Sequence, residues 1–154
     1  MNRTRRRLIA LAVGAIAAAA CGARLPAPAA LDTANDQCRS CRMIVSDQRF
    51  ASQIAAPYQE PAFFDDFNCL EGFLESQALP SQAVIYVADH RTKSWVRADA
   101  AVFTRARSLT AAMGSRVMAH ESAASRDADP DAAGGEPVTL ADVLPKAVKP
   151  GSRP

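Results

Sequence analysis

Phe63-Phe64-Asp65-Asp66-Phe67-Asn68-Cys69-Leu70-Glu71-Gly72-Phe73-Leu74 is the stretch on which the fold turns. Its apolar residues Phe63, Phe64, Phe67, Leu70, Phe73 and Leu74 recur at three- and four-residue spacing, the spacing of one helix face. Asp65 or Asp66 offers a side-chain acceptor to the unpaired N–H groups of a helix start. A helix from about Phe67 to Ser76, aromatic face inward, is therefore expected. Cys69 lies within it, one turn before Phe73, where a thiol usually behaves as a small apolar side chain, so an inert buried role is expected.

Outward from the helix the pattern turns to short strands. Residues 42–46 and 51–56 are apolar or alternating runs separated by residues 47–49, a hairpin pattern in which Met43 and Val45 share a side. Residues 57–61, bounded by prolines, read as a loop. Residues 83–88 and 94–97 flank a turn at 89–93 and form a second hairpin, with Tyr86 and Trp95 as half-buried strand residues. Residues 100–105 and 117–122 are further strands, and the run at 109–113 ends at Gly114, whose freedom at positive φ suits a turn that presents Met113. Residues 125–135 are polar and carry Pro130, Gly134 and Gly135, so any helix there is short. A closing strand and helical turn are expected at 136–144.

The ends read differently. Arg3, Arg5, Arg6 and Arg7 precede the apolar run 8–20, the layout of an export signal and too short to span a bilayer comfortably. Ala18-Ala19-Ala20-Cys21 resembles a bacterial lipobox, which makes Cys21 a lipidation site and places the protein on the periplasmic side of a bacterial membrane; ordinary cleavage leaving Cys21 as a thiol is the alternative. Residues 1–20 are thus a signal peptide, 21–37 a lipidated cysteine and flexible Ala/Pro tether, 38–145 the folded domain and 146–154 a tail. Four of the 18 basic side chains fall in the signal, so 14 face 16 acids, and no basic patch for nucleic acid is left.

The chemistry is concentrated in Cys38-Arg39-Ser40-Cys41-Arg42-Met43. Two thiols and a thioether in six residues are soft donors, and a thioether beside thiolate favours Cu(I) over Zn(II). A Cys-x-x-Cys redox pair, which would make the chain a thiol-disulfide oxidoreductase using Cys38 and Cys41, and a zinc half-site are the other readings. Covalent haem is excluded because Arg42 stands where His is needed. Met118 reads as core, and His90 and His120, the two imidazoles, read as surface residues or as further copper ligands.

Taken in order, Cys21, the Cys38/Cys41/Met43 motif, the block Phe64-Asp65-Asp66-Phe67-Asn68-Cys69-Leu70, Trp95-Val96-Arg97-Ala98 and Met113-Gly114-Ser115 resemble the NosL family of copper-binding lipoproteins accessory to nitrous oxide reductase. The resemblance implies an α+β fold of two related halves, each a short antiparallel sheet with a helix. It implies a non-enzymatic Cu(I) metallochaperone whose ion is held by Cys41, Met43 and Met113, with Cys38 as a further candidate. It implies delivery to apo nitrous oxide reductase or its assembly machinery. Arg42 stands where such relatives commonly have Gly.

Overall fold

The computed structural model describes residues 25–147. Within it the expected helix, α1, runs over Phe67–Ser76 and buries Phe67, Cys69, Leu70 and Leu74. Asp66 is its N-cap, the carboxylate accepting from the Asn68 N–H at 2.7 Å. Phe73 meets Phe64 with ring centroids 5.2 Å apart, which fastens the helix to the strand before it.

Strands β1 (Ser52–Ala55), β2 (Ala62–Phe64), β3 (Val84–Ala88) and β4 (Trp95–Arg97) form one antiparallel sheet in the order β2-β1-β3-β4. Strands β5 (Val102–Arg105), β6 (Val117–His120) and β7 (Glu136–Val138) form a second, in the order β6-β5-β7. A short helix α2 (Ala123–Asp127) follows β6, and α3 (Leu140–Val143) follows β7.

The two sheets are built on one plan. In each, a hairpin is followed by a helix and then by a strand that returns to the free edge of the hairpin's first strand: β1-β2-α1-β3 and β5-β6-α2-β7. The registers agree residue by residue. Ser52 faces Phe64 as Val102 faces His120, and Gln53 faces Tyr86 as Phe103 faces Val138. Each helix cap, Asp66 or Ser122, stands two residues beyond its strand. The halves share a core in which Phe67 of α1 meets Phe103 of β5 edge to face at 5.8 Å. An α+β protein of two related halves is thus the observed architecture.

Two expectations need correction. Residues 42–46 form no strand; a lone bridge joins Gln37 to Ile44, and β1 takes β2 as its hairpin partner. The reason lies in the backbone: the Cys38 N–H donates to the Met43 carbonyl at 2.8 Å and the Arg42 N–H to the Cys38 carbonyl at 3.0 Å. Groups that a strand would offer a neighbour are consumed inside a turn. Met43 is therefore half-exposed while Val45 is fully buried, so the two do not share a side. The stretch expected as a tether is also held to the domain from Pro26 onward. Tyr86 donates its hydroxyl to the Pro26 carbonyl at 2.7 Å, the Gln53 amide pairs with both backbone groups of Ala29 at 2.8 and 3.0 Å, and Ala29 and Leu31 pack on the core. The signal segment, Cys21 and the tail beyond residue 147 lie outside the described residues. No described helix is long and apolar enough to cross a membrane.

Candidate metal centre

Cys38, Cys41 and Cys69 converge, their sulfur atoms all within 4.8 Å of one another. The first two come from the turn before β1 and the third from the first turn of α1. All three are free thiols. Cys38 is 0 % exposed and Cys69 buried, while Cys41 is partly open to solvent. Cys69, which periodicity assigns to inert core, is therefore the member that sequence reasoning missed. What brings it into the cluster is the turn of Cys38 and Cys41 lying against the start of α1.

Burial opposes ionisation of Cys38, but backbone N–H groups of Cys41, Asp65 and Ser40 converge on its sulfur and bring the thiol below its ordinary value. Cys69 moves the other way: burial, then the neighbouring Cys38 charge, push its thiol far up. Burial, followed by the carboxylates of Asp66 and Asp47, raises the Asp65 carboxyl as well.

The second half repeats this construction with a different anion. Asp89 takes the place of Cys38: its N–H donates to the Ser94 carbonyl at 2.8 Å, and Lys93 N–H returns to the Asp89 carbonyl at 2.7 Å. Arg39 N–H reaches the Phe63 carbonyl on β2, and His90 N–H reaches the Ala119 carbonyl on β6, at 2.7 and 2.8 Å. Arg42 and Lys93 both stand in the left-handed region, at φ 65 and 63°. The Asp89 carboxylate accepts from the N–H groups of Arg91, Thr92 and Glu121 and from the Ser125 hydroxyl. These donors correspond in turn to Ser40, Cys41, Asp65 and Cys69. Burial opposes the Asp89 charge, yet the Glu121 and Thr92 N–H groups and the Ser125 hydroxyl hold its carboxyl at about 2. The cradle thus gathers donors on one side chain, the Asp89 carboxylate in one half and the Cys38 sulfur in the other.

Both candidate thioethers are partly open to solvent. Met43 closes the cysteine turn and is 46 % exposed; Met113 is 44 % exposed. The Met113 backbone is tied to the cap of α1: the Asp66 carboxylate accepts from the Met113 and Ser115 N–H groups at 2.9 and 3.2 Å, and Asn68 donates to the Met113 carbonyl at 2.9 Å. Gly114, at φ 76°, makes the turn. Asp66 adjoins Asp65, whose N–H faces Cys38, so one two-residue step carries both the thiolate's donor and the anchor of the Met113 loop. Met118 is core, as expected. His90 and His120 are not at the surface: both are buried and they gather with Asp129 rather than with the cysteines, since the sheets turn them inward at the join of the two halves.

Fold and site together define a protein of two ββαβ halves, one of which carries a cluster of soft sulfur donors of metal-ligand spacing. The chain belongs to the NosL family, whose model matches residues 28–148. No curated protein matches it in sequence. Among solved structures it is similar to the copper chaperone NosL from Shewanella denitrificans, with a TM-score of 0.62 and 18 % identity, over 77 % of this chain and 96 % of that one.

Proposed function

We propose that this protein is a Cu(I) metallochaperone that takes up a single ion at the sulfur cluster and passes it to an apo-enzyme, with nitrous oxide reductase as the recipient during assembly of its copper centres. The observation that carries the reading is the convergence of Cys38, Cys41 and Cys69, with three N–H groups directed at the Cys38 sulfur that favour its thiolate form. A single thiolate balances a monovalent cation, and the surrounding sulfur selects a soft one. Cys38, Cys41, Met43 and Met113 form the ligand set proposed from the sequence, and Cys69 joins it as a further donor. Met43 and Met113, partly exposed, are the donors that an acceptor's ligands would displace first. Ligand exchange of this kind transfers the ion with no bond-making catalysis. A lipid on Cys21 would hold the domain at the periplasmic face of a membrane, close to an exported acceptor.

A thiol-disulfide oxidoreductase is the poorer account, because the Cys38–Cys41 pair lies in a turn and not at a helix N-terminus, where such enzymes hold their attacking thiolate. The test is anaerobic chelator competition on the reduced chain. About one Cu(I) per chain, not displaced by Zn(II), is expected. Preferential retention of zinc at the cysteines, or disulfide exchange that disappears in Cys41→Ser while copper affinity stays unchanged in Met43→Leu and Met113→Leu, would overturn the proposal.

A further inference from the structure

The plan shared by the two halves exposes a place where they part. Phe64 ends β2 and packs on Phe73, seven residues after the α1 cap. In the second half His120 ends β6, and Asp129 stands seven residues after the α2 cap. An aromatic pair that fills the gap between strand and helix is thus replaced by an imidazole and a carboxylate, His120 Nε2 lying 3.0 Å from Asp129 Oδ2. His90, from the turn after β3, places Nδ1 2.7 Å from the same oxygen. All three residues are buried. Packing does not explain the exchange, since burying ionisable groups in place of an aromatic contact is unfavourable unless something completes them.

Hydrogen bonding alone leaves the cluster incomplete. Two imidazole nitrogens, His90 Nδ1 and His120 Nε2, converge on a single carboxylate oxygen, and the opposite nitrogens, His90 Nε2 and His120 Nδ1, are buried with no partner, so the rings are oriented by no hydrogen bond other than that to Asp129. Burial opposes the Asp129 charge, but the hydrogen bonds from His120 and His90 hold its carboxyl below the ordinary range. The Arg49 guanidinium is engaged by Asp47 at 2.7 Å and reaches Asp131 only at 4.0 Å. We infer that His90, His120 and Asp129 form a second metal site, separate from the sulfur cluster, that takes a divalent cation of the Zn(II) class.

Two imidazoles and a carboxylate, with no sulfur, suit Zn(II) and disfavour Cu(I). Zn–ligand bonds of about 2.0–2.1 Å in a tetrahedron set neighbouring donors about 3.3 Å apart, so separations of 2.7 and 3.0 Å need to open by only a few tenths of an ångström. Asp129 also lines an open depression of about 410 Å³ beside Arg126, Pro130 and Gly134, so the carboxylate side of the cluster lies close to solvent. The frame is rigid, because Asp89 accepts the Glu121 N–H, fixing the residues that follow His120 and precede His90. A bound ion would join the β3–β4 turn to β6 and to the segment after α2.

The test is Zn(II) titration of the full reduced chain, followed by ¹⁵N NMR of the histidine rings. Zn(II) is expected to shift His90 Nδ1 and His120 Nε2 and to raise the melting temperature. Co(II) at this site should show tetrahedral ligand-field bands without sulfur charge transfer. In the background Cys38→Ser/Cys41→Ser/Cys69→Ser, His120→Asn and Asp129→Asn should each weaken zinc on the order of tenfold or more. Should that background fail to fold, ring shifts in the unaltered chain decide. Imidazole resonances unmoved by zinc, or zinc bound solely with sulfur charge transfer, would overturn the inference and leave the copper reading standing. Loss of copper with retained ring shifts would do the reverse.

Discussion

Cys38 and Asp89 occupy equivalent positions, and the donors around each favour its charged form. At Asp89 the folded carboxyl, at about 2, lies below its ordinary 3.8, so the stability it contributes is present above about pH 4 and is lost as pH falls toward 2. The gap corresponds to roughly 2 kcal/mol. Asp89→Asn keeps one oxygen for four donors and should cost about 2–3 kcal/mol at neutral pH, with a flatter decline in acid, measured by urea unfolding across the pH range. A steep acid decline retained in the variant would refute the assignment. Met43→Leu and Met113→Leu remove a thioether without changing volume much, and both side chains are nearly half-exposed. The metal-free melting temperature should hardly move, while Cu(I) affinity falls on the order of tenfold, about 1.4 kcal/mol, for each. Cys38→Ser should lose more, because it removes the charge that balances the ion; chelator competition ranks the three.

At the scale of elements, α1 and the Met113 loop act as one unit through Asp66. One carboxylate oxygen caps the helix and the other receives the loop. Asp66→Ala should cost about 1–2 kcal/mol from the cap alone. It should also free the loop, so that amide exchange at Met113 and Ser115 speeds up while β5 and β6 stay protected; unchanged exchange would mean that the loop is held by other contacts. Gly114→Ala tests the same loop from the opposite end. Its φ of 76° strains any side chain, and about 1 kcal/mol of destabilisation is expected, with copper affinity falling in parallel as Met113 is displaced.

Across the whole molecule the two halves are related but not independent. Phe103 of β5 is 2 % exposed and meets Phe67 of α1, so the aromatic contact crosses from one half to the other. Phe103→Ala should cost about 3–5 kcal/mol, with calorimetry still giving one transition for the unaltered chain. Two separate transitions in that chain would show that the halves fold apart.

Much of this architecture follows from local pattern. The spacing of Phe67, Leu70, Phe73 and Leu74 with Asp66 before them determines α1, and the hairpin at 83–97 and the short strands after it follow from β-branched runs broken by turn residues. These are short-range effects, carried by residues within a turn or two of one another. The Cys38/Cys41 pair and the turn at Gly114 are local in the same sense. Three things depended on tertiary structure. Residues 42–46 carry a strand's composition, but a closed turn uses their backbone groups. Cys69 differs from any buried helical thiol only because the turn of Cys38 packs against it. His90, His120 and Asp129 meet across the join of the halves, His90 and Asp129 being 39 positions apart in sequence. The internal repeat that relates Cys38 to Asp89 leaves no identical residue between Cys38-Arg39-Ser40-Cys41-Arg42-Met43 and Asp89-His90-Arg91-Thr92-Lys93-Ser94. What the two turns share is a path of backbone hydrogen bonds, and backbone N–H and carbonyl groups are common to nearly all residues, so such a path is written in no particular side chain.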